Sequence, residues 1–97
     1  MAWTVILENE EREQIESLDI EYISKILFDP LNNEAFKLAK YLDPYGDTIF
    51  NHLQMNHLIL DFKKLQELRY DEDIERVIQL AVKCKSEPHT YLVFYGD

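Results

Sequence analysis

The segment Thr90-Tyr91-Leu92-Val93-Phe94-Tyr95 decides the fold. All but Leu92 are β-branched or aromatic, which favours an extended chain over a helix. The run is nearly all apolar instead of alternating, the pattern of a strand inside a sheet and not at its edge. It therefore predicts a terminal strand with neighbours on both sides. Upstream, Trp3, Val5 and Leu7 alternate with Ala2, Thr4 and Ile6, which makes Ala2 to Glu8 a first strand. Asn9 to Glu13 is a polar connection, and Gln14 to Asp19 is assigned as a strand pairing back, with direct entry into a helix as the alternative.

Between these strands the periodicity changes. Ile20, Ile23, Ile26 and Leu27 recur at helical spacing, and Pro30 discourages helical backbone at Asp29, so a two-turn helix is expected there. Glu34 to Leu42 fits a helix through Phe36, Ala39 and Leu42, and a strand through Leu38, Lys40 and Leu42. A helical start and a strand by about Lys40 are expected, with Asp43-Pro44-Tyr45-Gly46-Asp47 as a hairpin loop leading into Thr48-Ile49-Phe50. Two longer helices follow. One carries the stripe Met55, Leu58, Ile59, Phe62, Leu65 and Leu68, with Asp61 outward; the other carries Ile74, Val77, Ile78, Ala81 and Val82. Asp71 is the expected N-cap of the second, Glu72, Asp73 and Glu75 complement its positive end, and Lys83 and Lys85 its negative end. The sum is one α+β domain over residues 1–97: a mixed or antiparallel sheet of four to five short strands with two amphipathic helices on one face.

Both glycines of the chain lie at the centre of the same tripeptide, Tyr45-Gly46-Asp47 and Tyr95-Gly96-Asp97. Glycine is the cheapest residue at positive φ, so both sites are expected to be tight turns.

A hydrophobic content of 46% argues for a folded chain despite a net charge of −9. The charge is uneven. Residues 1–24 carry seven acids against Arg12 alone, whereas the rest is much closer to balance. Such a field repels phosphate backbones and attracts basic proteins, so a basic protein partner is expected and nucleic acid is not. The first residues lack a secretory pattern, no stretch has the length of a membrane span, and Cys84 stands alone, so cytoplasmic residence is expected.

Catalytic chemistry finds few groups. Cys84 sits near a helix end where the dipole disfavours a thiolate, so a structural thiol is expected. His57 and Asp61, four residues apart, offer only two metal ligands, and no glycine-rich phosphate loop exists. Nucleophile, base and oxyanion donor do not converge, so the chain is expected to be no enzyme and to need no metal or cofactor.

What remains is recognition. Tyrosine beside carboxylates in a loop makes an interaction point for a basic partner. The expected partner-binding residues are Asp43, Tyr45, Asp47, Tyr95 and Asp97, provided that the two Tyr-Gly-Asp sites end at the same edge of the sheet, together with the acidic amino-terminal segment. In length, acidity, α+β content and lack of catalytic groups, and in the segments 41–48 and 90–97, the chain resembles the small acidic immunity proteins by which bacteria neutralise toxins, a class that includes barstar-like inhibitors. The resemblance implies a cytoplasmic inhibitor that covers a basic toxin domain, such as a nuclease. A regulatory or scaffold subunit acting through homo- or hetero-oligomers is the alternative, with a small metal-dependent enzyme behind it.

Overall fold

The computed structural model describes residues 3–20, 36–42, 46–68 and 70–96. Four strands, β1 (Trp3–Asn9), β2 (Gln14–Ile20), β3 (Asp47–Asn51) and β4 (Thr90–Tyr95), form one antiparallel sheet in the order β2-β1-β4-β3. The fold is α+β, and the apolar run 90–95 is an interior strand flanked by β1 and β3. Its two sides differ. Leu92 and Phe94 join the main core with Trp3, Val5 and Leu7 of β1, whereas Val93 is fully buried outside that core.

Helices α1 (Met55–Leu68) and α2 (Glu72–Ser86) complete the core. Phe62 of α1 stacks on Phe94 at 5.8 Å between ring centroids, and Phe50 of β3 meets the same ring edge-on at 5.9 Å. Offset and edge-to-face packing both suit the ring quadrupole, so one phenylalanine ties two strands to a helix. β3 runs into α1 through a short 3-10 turn, His52–Gln54. There the Asn51 side chain accepts from Leu53 N–H and Gln54 Oε1 accepts from Asn51 N–H, a reciprocal capping box. Asp71 caps α2 as expected, accepting from Asp73 N–H at 2.8 Å, with Glu72, Asp73 and Glu75 in the first turn and Lys83 and Lys85 in the last.

The core face of α2 is rotated from its expected stripe: Leu80 and Cys84 are buried, and Val82 is 51% exposed. On α1, Leu68 is likewise exposed.

Asp61 is the larger correction, because it points inward and is only 1% exposed. Its carboxylate accepts from Lys37 N–H at 3.1 Å, Leu38 N–H at 2.7 Å and Ala39 N–H at 2.9 Å. These bonds explain a second correction. The strand expected by Lys40 is instead a 3-10 turn, Ala39–Tyr41, because a carboxylate holding three successive amides in a concave arrangement takes donors that a strand ladder would need. Among the described residues β3 pairs only with β4, so the mid-chain hairpin is not formed. Of the expected helix at Ile20, Ile23, Ile26 and Leu27, Ile20 closes β2 and the rest lies outside the described residues.

Candidate functional site

The sheet has two faces of different chemistry. Strand alternation puts Trp3, Val5, Leu7, Ile20, Phe50, Leu92 and Phe94 toward the helices. The opposite face carries Thr4, Ile6 and Glu8 of β1, Ser17 and Asp19 of β2, Asp47, Ile49 and Asn51 of β3, and Tyr91, Val93 and Tyr95 of β4. No helix among the described residues packs on it, and Ile49 is 48% exposed there. No strand contains a lysine or arginine, although the four together hold Glu8, Glu16, Asp19 and Asp47. Helices α1 and α2 carry Lys63, Lys64, Arg76, Lys83 and Lys85 together with Asp61, Glu67, Glu72, Asp73 and Glu75. The helices are thus balanced in charge, whereas the strands are acidic.

Among the described residues, Lys83 of α2 pairs with Glu16 of β2, and Arg12 enters from the β1–β2 turn, where it too is paired. The β1–β2 connection turns on Asn9, whose side-chain oxygen accepts from Glu11 N–H at 3.0 Å and Glu13 N–H at 2.9 Å, while Arg12 N–H donates to Asn9 O. A turn of this kind ends on a residue in the left-handed region, usually glycine. Here it is Arg12, at φ 67°. Its Nε donates to Glu8 Oε1 at 2.6 Å and its Nη2 to the Tyr95 hydroxyl at 3.3 Å, while Tyr95 donates to Glu8 Oε2 at 2.6 Å. The ring of bonds is closed. Glu8 is 4% exposed, and this network is what permits a carboxylate there. Arg12 is held still more firmly charged by the Glu8 carboxylate, and the same carboxylate pushes the Tyr95 phenol up, with burial adding to it. In register Tyr95 faces Thr4 and Glu8 faces Tyr91, so their bond spans the intervening row of Ile6 and Val93.

Beside this network Glu10, Arg12, Ile49 and Tyr91 line an open groove of about 240 Å³. His89 Nδ1 lies 3.3 Å from Glu10 Oε2, a contact that is ionic when the imidazole is protonated.

The two Tyr-Gly-Asp tripeptides meet. Gly96 N–H donates to Gly46 O at 2.7 Å, and Asp47 pairs with Tyr95 in the β3–β4 ladder. The reason expected for the glycines is overturned, since neither has positive φ among the described residues; Arg12 alone does. Of the expected site residues, Asp47 is exposed at this corner, and Tyr95 is half-buried with its hydroxyl committed to Glu8 and Arg12. Asp43, Tyr45 and Asp97 lie outside the described residues. Glu8 and Glu10 belong to the acidic amino-terminal segment expected on the surface, whereas Arg12, Ile49 and Tyr91 were not singled out from the sequence. The signal for Ile49 and Tyr91 is the period-two alternation of β3 and β4, which becomes readable as one face once the strand order is known.

The other chemical candidates take structural places. Asp61 is saturated by three amides and His57 is exposed, so they do not make a ligand pair. Among the described residues no three His, Cys, Asp or Glu side chains cluster to hold a metal ion. Cys84 is buried, with burial pushing its thiol up, and Thr90 Oγ1 donates to its carbonyl at 3.2 Å. No helix among the described residues is long and apolar enough to cross a membrane. No family model, curated protein sequence or solved structure matches the chain.

Proposed function

We propose that the chain is a non-catalytic protein-binding module, a cytoplasmic immunity-type inhibitor that neutralises a basic toxin domain by covering it with the sheet face turned from α1 and α2. The observation that carries this reading is the charge of the sheet: the four strands hold Glu8, Glu16, Asp19 and Asp47 and no lysine or arginine, and the face turned from α1 and α2 carries Tyr91, Tyr95 and Ile49 within an acidic surround. An aromatic and aliphatic centre with a charged rim is the anatomy of a recognition surface. Exposed Glu10, Glu11, Glu13, Asp19 and Asp47 would attract a basic domain, and acids of this kind stand in for the phosphates of a nuclease substrate. The corner where Gly96 meets Gly46 adds Asp47 to one end of that face.

Co-expression of the chain with the product of each adjacent reading frame tests the proposal. One such product is expected to arrest growth alone and to be harmless with the chain. The association rate of the purified pair is expected to fall steeply with salt. Neutralisation unaffected by Asp19→Asn, Asp47→Asn and Glu10→Gln together would remove the acidic face from the mechanism.

A further inference from the structure

The geometry points to the groove between the β1–β2 turn and β3–β4 as a seat for one arginine side chain of a protein partner. The inference rests on the sheet face being a docking surface, and it names what that surface grips. Four features converge. Tyr91 offers an aromatic ring, half-buried, and Ile49 an exposed aliphatic side chain; together they suit a planar guanidinium and the methylenes behind it. Glu10 supplies an exposed carboxylate at the rim, an acceptor for a guanidinium N–H beside His89, whose Nδ1 lies 3.3 Å from its Oε2. The groove's own cation does not oppose the guest, because Arg12 is already neutralised by Glu8 at 2.6 Å. The fourth feature is the backbone of Arg12. A non-glycine residue at φ 67° is held there by Glu8 and Tyr95, and strain that the surroundings hold in place marks functional loops. Here it fixes the turn that carries Glu10 against the wall formed by β3 and β4.

The charge around the groove selects the guest. Glu10, Glu11 and Glu13 surround the turn, Asp47 lies on the adjacent strand, and the strands contribute no cation, so a carboxylate or phosphate guest is repelled. Arginine is favoured over lysine because its weakly hydrated plane stacks on Tyr91 while one of its N–H groups reaches the Glu10 carboxylate.

The test uses the full ¹⁵N-labelled chain titrated with the capped tripeptide acetyl-Gly-Arg-Gly-amide, and with its lysine and citrulline counterparts. Saturable amide shifts at Glu10, Ile49 and Tyr91 are expected with the arginine peptide, weaker ones with lysine and none with citrulline. Glu10→Gln, at an exposed position, is expected to weaken binding about threefold to fivefold, and Tyr91→Leu, which keeps the apolar bulk, to weaken it similarly. An absence of shifts at these residues, an equal response to citrulline, or an unchanged affinity in Glu10→Gln would overturn the seat. An equal response to lysine would overturn the guanidinium selectivity. If the groove binds the arginine peptide while no adjacent gene product is neutralised, the toxin-inhibitor reading falls and the seat stands. Neutralisation by a chain whose groove ignores arginine has the opposite meaning.

Discussion

The backbone N–H of Gly96 donates to the carbonyl of Gly46 at 2.7 Å, so the two tripeptides of identical sequence close one end of the β3–β4 pair. Neither glycine needs its freedom at positive φ. The bond itself is what matters, and Gly96→Pro, which deletes the donor, is expected to cost about 1 kcal/mol. Gly96→Ala keeps the donor at a position without positive φ and is expected to be neutral or to stabilise by up to about 1 kcal/mol. Urea unfolding of the two variants checks the contrast. Equal stabilities would mean that the bond contributes nothing.

Arg12 permits a separation of backbone cost from side-chain benefit. Arg12→Ala loses the contacts with Glu8 and Tyr95 and retains the left-handed backbone. Arg12→Gly loses the same contacts and makes that backbone cheap. The glycine variant is therefore expected to be the more stable of the two by about 1 kcal/mol, with both below the parent because Glu8 is left buried with one partner fewer. A glycine variant no more stable than the alanine variant would show that the turn is unstrained.

Tyr95 gives the protein an alkaline sensitivity whose sign is fixed. Its phenol is raised because it donates to the Glu8 carboxylate, with burial acting in the same direction and Arg12 against it. A group raised in the fold favours its protonated form there, so its contribution is complete below the unfolded phenol value of about 10 and is lost as pH climbs through it toward the folded value. Cys84 is raised by burial and acts the same way, from about 8.5 upward. Stability measured by denaturant midpoint should fall across both ranges in the parent. Tyr95→Phe should lose the upper component and keep the lower one. A parallel pH profile for the parent and Tyr95→Phe would show that the phenol does not couple to folding.

Elements with a strong local signal were legible in the sequence: the apolar β4, the alternating β1, and α2 with its Asp71 cap. The expected α+β architecture follows from them. The stretch from Ala39 to Tyr41 was not legible, because its conformation is imposed by a carboxylate from another element. The corner where the two Tyr-Gly-Asp tripeptides meet was legible in part. A repeated tripeptide shows that two segments are alike, and only strand order shows that they touch. The groove needed more still, since Glu10, Ile49 and Tyr91 come from three segments whose proximity depends on β4 lying between β1 and β3.

Asp61 carries the last prediction. A carboxylate that is 1% exposed and accepts three amide N–H groups stabilises the segment 37–39 against α1, and its loss leaves those amides without their acceptor. Asp61→Ala is expected to cost about 3 to 5 kcal/mol, a large share of the stability of a domain this size. Asp61→Asn keeps one acceptor oxygen but sets an amide NH₂ against backbone donors, so it should recover only part of that loss. Hydrogen exchange separates a local effect from a global one: protection at Lys37, Leu38 and Ala39 should fall further than at Leu92 and Phe94, which the sheet holds independently. If exchange at 37–39 is unchanged in Asp61→Asn, the 3-10 turn is held by its apolar residues Phe36, Ala39 and Leu42, and the carboxylate is not its anchor.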